Sequence, residues 1–378
     1  MLSETMESYA VSVEEELKTL IRELSVIPAP SHLEDQRAEY LTAWLKARGV
    51  TRVHTDEAKN VIWSVNDTGE NDLSVIMAHT DVVFPDLTPL PLVIEDGIYR
   101  CPGITDDVTP LCILLVSALY FFRNGMDPKK GLLIVANSCE EGLGNLKGSR
   151  RIVDTYGDRL KELITVEAGQ NRLITRAVGS HRYRVTVETE GGHSYGAFGN
   201  RNAIRYLASM IDTLYAVKVP EKPATKTTYN VGLISGGTSV NTIAQKAEML
   251  YEYRSDDYEC LEKMKQTFES VISAYRSMGI QIRVELIGER PCGNVDPNKE
   301  QLLADRIERS IRKIMHLEPV YCSGSTDANY PLSKGIPAIC IGSVRGNRCH
   351  TREEFLYLED LVPAVRFLLD VLQYYYCS

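Results

Sequence analysis

The sequence predicts an α/β protein: a mostly parallel sheet with helices on both faces, interrupted by a smaller α+β unit. Three observations predict it. Over the first 180 residues, short apolar runs suited to buried strands alternate with helical segments. From about residue 180 the pattern changes to a strict apolar–polar alternation, the mark of a strand with one wet face. After Pro291 the alternation of helix and strand resumes. Residues 1–179 and 291–378 therefore read as one discontinuous domain, with 180–290 inserted into it.

The elements follow in chain order. Glu14 to Leu24 and Leu33 to Ala47 carry helical spacing, the latter ended by Gly49. Leu73 to Met77 is a run fit for a buried strand. Thr109-Pro110 reads as cap and first turn of a very apolar helix, Leu111 to Phe122. Leu132 to Ala136 and Leu163 to Val166 are further buried strands. In the insert, Tyr183, Val185 and Val187 alternate with Arg182, Arg184, Thr186 and Glu188. A helix from Asn202 to Tyr215, strands at Thr228 to Ile234 and Ala247 to Arg254, a helix from Leu261 to Ser277 and a strand at Gln281 to Leu286 follow. That order, β-α-β-β-α-β, is the ferredoxin-like one. The last part reads as a helix at Leu302 to Met315, a strand at Pro337 to Ile341 and a closing helix at Leu358 to Tyr375.

Composition narrows the function. A length of 378 residues allows two or three domains at about 150 residues each. The balance of 42 basic and 51 acidic residues gives −9, which disfavours a nucleic-acid partner held by phosphate neutralisation. The apolar stretch Leu111 to Phe122 is shorter than the roughly 18 residues of a membrane span, so no membrane partner is expected. Met1-Leu2-Ser3-Glu4-Thr5 lacks the basic start and apolar core of a signal peptide. Nine cysteines, none in a CxxC pair, read as reduced thiols, so the expected compartment is the cytoplasm.

Ligands of open α/β sheets gather beyond the carboxyl ends of strands, and candidate metal ligands fall there. His79-Thr80-Asp81 follows the strand ending at Met77, Glu140-Glu141 the strand ending at Ala136, and Glu167 the strand ending at Val166. His350 comes shortly after the strand ending at Ile341, and Asp106-Asp107 just precedes a helix. Imidazoles and carboxylates without a thiolate suit divalent borderline ions such as zinc. Singly, each has an ordinary structural reading: a turn, a salt bridge, charge at a helix start. Cys139 offers a competing thiol nucleophile that would use none of these carboxylates.

With these marks in hand, the sequence resembles the dinuclear zinc exopeptidases and deacylases of the peptidase T, carboxypeptidase G and succinyl-diaminopimelate desuccinylase type. The marks run in the family's order. They are Ala78-His79-Thr80-Asp81, Gly103-Ile104-Thr105-Asp106-Asp107, Cys139-Glu140-Glu141-Gly142 and Val166-Glu167-Ala168-Gly169. Gly191-Gly192-His193-Ser194, Asn241-Thr242-Ile243, Arg254, Gly324-Ser325-Thr326-Asp327-Ala328 and Cys349-His350-Thr351 complete them. Two positions depart from the pattern: Val108 follows Asp107 where lysine is usual, and Ala244 follows Ile243 where proline is common.

The resemblance implies a zinc-exopeptidase-like catalytic domain with 180–290 as its lid and dimerisation domain. His79 and Glu167 would bind one metal ion, Glu141 and His350 the other, and Asp106 would bridge both. The ions would be zinc, with cobalt or manganese as alternatives. Asp81 would hold the His79 ring and Glu140 would be the general base. His193, supplied by the second copy of a homodimer, would steady the oxyanion. Asn241 and Arg254 would grip a substrate carboxylate, with Gly324, Ser325 and Thr326 lining the same pocket. The implied function is hydrolysis of an amide bond in short peptides by a metal-activated water. The alternatives are a deacylase of N-acyl amino acids on the same scaffold and, in another class, a non-catalytic binder of peptides or small acids.

Overall fold

The structure, a computed structural model, describes residues 2–377. The chain forms two compact units, Met1–Ala177 with Asn294–Ser378 and Val178–Gly293. Unit 1 opens with helices α1 (Glu4–Ser12), α2 (Glu14–Ser25) and α3 (Asp35–Ala47). Strands β1 (Val53–Thr55), β2 (Val61–Val65), β3 (Leu73–His79), β4 (Val93–Glu95) and β5 (Ile98–Arg100) follow. Helix α4 (Thr109–Arg123), β6 (Gly131–Asn137), α5 (Lys147–Tyr156), β7 (Leu160–Ala168) and β8 (Arg172–Ala177) complete its first part. Unit 2 consists of β9 (Gly179–Glu188), β10 (Gly192–His193), α6 (Ala203–Tyr215), β11 (Thr227–Gly236), β12 (Thr242–Ile243), β13 (Lys246–Ser255), α7 (Tyr258–Ser277) and β14 (Gln281–Arg290). Unit 1 then resumes with α8 (Pro297–Ser310), β15 (Val320–Gly324), α9 (Asn329–Ser333), β16 (Ala338–Val344), β17 (Phe355–Tyr357) and α10 (Leu361–Cys377).

The sheet of unit 1 runs β1-β2-β6-β3-β7-β16-β8-β15. Its centre, β6-β3-β7-β16, is parallel throughout, while β2 and β8 flank that centre antiparallel. Alternation along each central strand sends neighbouring side chains into two different cores. Ile76, Ala78, Ile134 and Ala136 face one core, built with α4 and α10, whereas Val75, Met77, Leu133 and Val135 face another, built with α5 and α9. Both faces are covered, which is why these strands read as unbroken apolar runs. The chain leaves β3 through α4 to β6 on one side, then through α5 to β7 on the other. The carboxyl end of β3 is therefore a topological switch point.

Two expectations for α4 need correction. Thr109 is not its cap but its first residue, entered directly from an irregular turn at Ile104–Val108, while Pro110 does fall in the first turn. That turn also lengthens the apolar segment to the 20 residues Ile104–Arg123, enough by length and composition to cross a bilayer. Here 94% of its most apolar window is buried inside the protein, so it serves as a core helix between the sheet and α10. The helix expected at Leu302 to Met315 is α8, five residues earlier, followed by a turn at Ile311–Met315. Asp296 accepts from Asn298 N and Pro297 fills the first turn, a start signal that the apolar pattern alone does not contain.

Unit 2 has the sheet order β11-β13-β9-β14, all antiparallel. Tyr183, Val185, Val187, Met249 and Tyr253 pack on α6 and α7, giving this unit its own core. Asn202 and Asp257 cap the two helices through their carboxamide and carboxylate oxygens.

Candidate active site

The carboxyl ends of β3, β6 and β7 and the loop after β16 converge in unit 1. His79 ends β3, and its main-chain N donates to Asp107 Oδ2 at 3.0 Å. Its ring is fully buried, with Nε2 3.0 Å from Asp106 Oδ1. The other Asp106 oxygen, Oδ2, lies 3.0 Å from His350 Nε2. One carboxylate thus turns one oxygen to each of two imidazoles. Glu141 Oε1 lies 3.2 Å from the same His350 nitrogen. Ligand atoms of His79, Asp106 and Glu141 fall within 4.8 Å of one another. The Asp106–Asp107 peptide is cis.

Asp81 sits differently from a simple ring partner. His79 Nδ1 is 3.1 Å from the Asp81 main-chain oxygen and 3.5 Å from its Oδ1. The buried Asp81 carboxylate accepts from the main-chain N of Glu140 and of Glu141, both at 2.9 Å, and from Ser31 Oγ at 2.6 Å. It therefore fixes the turn that carries Glu140 and Glu141 as well as the ring of His79. Glu167 lies within β7, not after it, and one of its carboxylate oxygens is buried with no hydrogen-bond partner among the described residues.

Burial and mutual repulsion shape the charges. Burial first, then the Glu140 carboxylate, pushes Glu167 up to about 8. Burial likewise raises Glu141 to about 7, with Glu140 and Asp106 adding to it. Asp106 would also be raised by burial, but its contacts with His350 and His79 outweigh this and hold it low. His350 is driven up to about 10 by Asp106 and Glu141. For His79, burial would lower the pKa, yet Asp106, Asp107 and Asp81 together raise it well above the ordinary histidine value. The carboxylates draw positive charge onto both imidazoles. Divalent cations would supply that charge instead, and the orphaned Glu167 oxygen would gain a partner, so these residues fit a metal centre.

Three residues outside the expected set support this cluster. Arg37, fully buried on α3, donates from Nη1 to Thr80 O at 2.5 Å and from Nε to Ile27 O at 2.8 Å, pinning the turn after His79. Asp327 Oδ2 accepts from Asn137 Nδ2 at 2.5 Å while its Oδ1 is buried and unpartnered. Burial and Glu140 raise Asp327 to about 8. Glu354 binds the loop that carries Asp106. Its spacing of four from His350 is a visible signal; Arg37 is signalled only as a lone charge on the apolar face of α3. Gly324 ends β15, and Ser325 and Thr326 lead from it to Asp327, with Thr326 buried and its N donating to Asn329 Oδ1.

Cys139 is no nucleophile in this arrangement. It is buried, burial pushes its thiol up to about 12, and Sγ donates to Glu34 Oε1 at 3.1 Å. A cavity of about 1080 Å³ lies at the opposite end of the sheet, lined by Leu160, Arg306 and Pro337, far along the strands from these ligands.

In unit 2, His193 and Asn241 are neighbours. His193 pairs with Thr242 across β10 and β12, and Ser194 N donates to Asn241 O at 2.9 Å. His193 Nδ1 accepts from the main-chain N of Tyr195 and Gly196, at 3.3 and 3.2 Å. A ring nitrogen that accepts from two N–H groups carries no proton, so this ring donates through Nε2. Arg254 is at the other end of β13, eight residues beyond Lys246, about 27 Å at ~3.4 Å per residue. Within one chain, Asn241, which precedes β12, and Arg254, near the far end of β13, therefore stand apart. Arg254 instead forks onto Glu252, Nε to Oε1 at 2.9 Å and Nη2 to Oε2 at 3.0 Å.

Comparison with known proteins decides the family, since residues 75–374 match the model of peptidase family M20/M25/M40. The chain belongs to that family. It is accordingly an enzyme of the metallopeptidase class. An uncharacterized protein of Bacillus subtilis, YqjE, is 25% identical over 332 residues, covering 84% of each chain. A tripeptidase of Staphylococcus aureus has the same fold, with a TM-score of 0.77 at 20% identity, covering 97% of this chain and 99% of that one. A dinuclear metal-binding M20 peptidase of Bacillus subtilis aligns with a TM-score of 0.64 at 14% identity, covering 96% and 99%. The M20 fold accounts for both the sheet of unit 1 and the smaller α+β unit.

Proposed function

We propose that this M20 enzyme hydrolyses an amide bond in short peptides, using two divalent cations held by His79, Asp106, Glu141, Glu167 and His350. The observation that carries the reading is the Asp106 carboxylate, with one oxygen on His79 and the other on His350. When bound, the cations, zinc by the imidazole–carboxylate donor set, would polarise the scissile carbonyl and make water acidic enough to attack near neutral pH. The chain's own residues do the rest. Asp81 holds the Glu140–Glu141 turn through two main-chain hydrogen bonds, so the base and a ligand move as one. Glu140 takes the proton of the attacking water and passes it to the leaving nitrogen. His193, protonated on Nε2, is the donor to the developing oxyanion.

Arg254 is the assigned partner of a substrate carboxylate, because a guanidinium fork matches the two oxygens of the anion. Glu252 occupies that fork here, so substrate binding at Arg254 would exchange one carboxylate for another. The separation of Asn241, before β12, from Arg254, near the far end of β13, supports action as a homodimer in which different copies supply the two residues. The edge strand β11, with Leu233 and Ile234 exposed, is a surface on which a second copy could pair. The eight described cysteines, all free thiols, support a reducing, cytoplasmic setting.

The test is a screen of zinc-loaded enzyme against mixed di- and tripeptides and N-acyl amino acids, with products identified by mass. Release of single residues from peptides is expected. Cleavage of N-acyl amino acids alone would make the enzyme a deacylase, and no turnover at all would make it a binder.

A further inference from the structure

Glu354 is a buried carboxylate outside the ligand set, and its side-chain hydrogen bonds run to a single loop. Oε2 accepts from Gly103 N at 2.9 Å. Oε1 accepts from Thr105 N at 2.7 Å, Thr105 Oγ1 at 2.7 Å and Asp106 N at 2.9 Å. Its main-chain oxygen accepts from Cys101 N at 3.2 Å, and Phe355–Tyr357 pairs with Ile98–Arg100 just beyond. The loop is shaped for this contact. Gly103 has φ +76°, and a Cβ there would run into Val82, so the loop can turn its N–H groups inward only at a glycine.

The same short segment carries His350, whose Nε2 lies 3.0 Å from Asp106 Oδ2. Asp106 is thus held at two points by residues four apart: at its main-chain N by Glu354 and at its carboxylate by His350. A further buried carboxylate beside an acidic cluster is electrostatically costly. An apolar side chain could fill the space but could not fix the direction of these four donors.

We propose that Glu354 is a positioning residue that sets Asp106 relative to His350 and so maintains the cation position formed by Asp106, Glu141 and His350. The proposal rests on the metal-hydrolase reading. Outer partners of metal ligands typically change metal affinity or activity by about 10- to 100-fold, and Glu354 acts through the main chain of a ligand in the same way.

The test is zinc titration of the metal-free full chain by calorimetry, together with kcat and KM on a cleaved peptide. In Glu354→Ala the first zinc, held also by His79 and Glu167, is expected to weaken less than the second, because both share Asp106. The second should weaken by about 10- to 100-fold, and kcat should fall with little change in KM. Glu354→Asp keeps the charge but stops one methylene short of the loop, so it should lose the second zinc similarly. Glu354→Gln keeps an oxygen for the three Oε1 donors and should recover most of the affinity. A residue serving stability alone would lower Tm and leave the second zinc and kcat untouched; that outcome overturns the proposal. Should Glu354→Ala not fold, the Asp variant decides, and wild-type affinity for the second zinc there overturns it equally. A wild-type chain that binds two zinc ions but cleaves nothing would defeat the hydrolase reading, while the titrations would still judge Glu354.

Discussion

On the sheet of unit 2, Arg182 and Arg254 both reach Glu252, and Arg184 lies between Glu248 and Glu285. These pairs are partly exposed, balanced in sign and of ordinary worth, each about 1 kcal/mol or less. At the strand ends of unit 1, Asp81, Asp106, Asp107, Glu140, Glu141, Glu167 and Asp327 crowd two imidazoles and one buried guanidinium, Arg37. There most of the groups, His350 excepted, are withdrawn from water, and acidic groups outnumber basic ones. Several perturbed titratable groups gathered in one place mark a candidate functional site. Charge density alone would not have distinguished the two regions; burial and imbalance do.

The contrast breaks most visibly on removal of metal. Chelation is expected to abolish peptide hydrolysis, with zinc, cobalt or manganese restoring it, while the far-UV circular dichroism of the whole chain stays that of a folded protein. Full turnover in a metal-free sample would return the cluster to a merely structural role. Next in size, Glu140→Ala should keep both metal ions, measured by elemental analysis, while kcat falls by about 10²- to 10⁴-fold. Wild-type turnover in that variant would remove Glu140 as the base.

A smaller effect concerns pH. Burial holds Glu141 at about 7, and Glu167 and Asp327 at about 8, above the ordinary carboxylate range. In the metal-free folded chain these groups keep protons that the unfolded chain has released by about pH 5. Their contribution to stability is therefore fullest below the ordinary carboxylate values and is lost as pH rises through 7 to 8. Thermal melts of metal-free protein should show Tm falling from pH 5 to pH 8. Zinc, which binds the deprotonated groups, should flatten or reverse that slope. A metal-free Tm that rises over the same interval contradicts the imbalance.

Smallest is Arg254→Ala in unit 2. Its partner Glu252 retains Arg182, so stability should shift by no more than about 0.5 kcal/mol in denaturant titrations. KM for peptides with a free carboxylate should rise about tenfold, or ~1.4 kcal/mol of binding. An unchanged KM would leave Arg254 as an ordinary member of the balanced surface.

Much of this was legible in the sequence because the sheet of unit 1 is covered on both faces. Leu73 to Met77 and Leu132 to Ala136 had to be apolar throughout, and the polar residues that interrupt them had to stand at strand ends. That is why His79, Glu140 and Glu141 were identifiable as a group. The short strands β4, β5 and β17 were not, since three residues are too few to show a period, and neither was α5, a ten-residue helix whose buried face holds only Gly148, Ser149, Ile152 and Val153. The grip of Asp81 on the Glu140–Glu141 turn and the task of Glu354 were also hidden. Each acts on main-chain N–H groups, and the sequence does not show which N–H groups a loop turns inward. For Arg254, the resemblance implied a carboxylate grip shared with Asn241, and only the extended run of β13 shows how far apart the two lie in one chain.

The most direct test of the central claim is the number and place of metal ions in crystals of the zinc-loaded chain, located by anomalous scattering. Two ions are expected, both in contact with Asp106, one also on His79 and Glu167 and the other on Glu141 and His350. An Asp106 carboxylate that touches no metal, with zinc bound elsewhere or absent, would contradict the account.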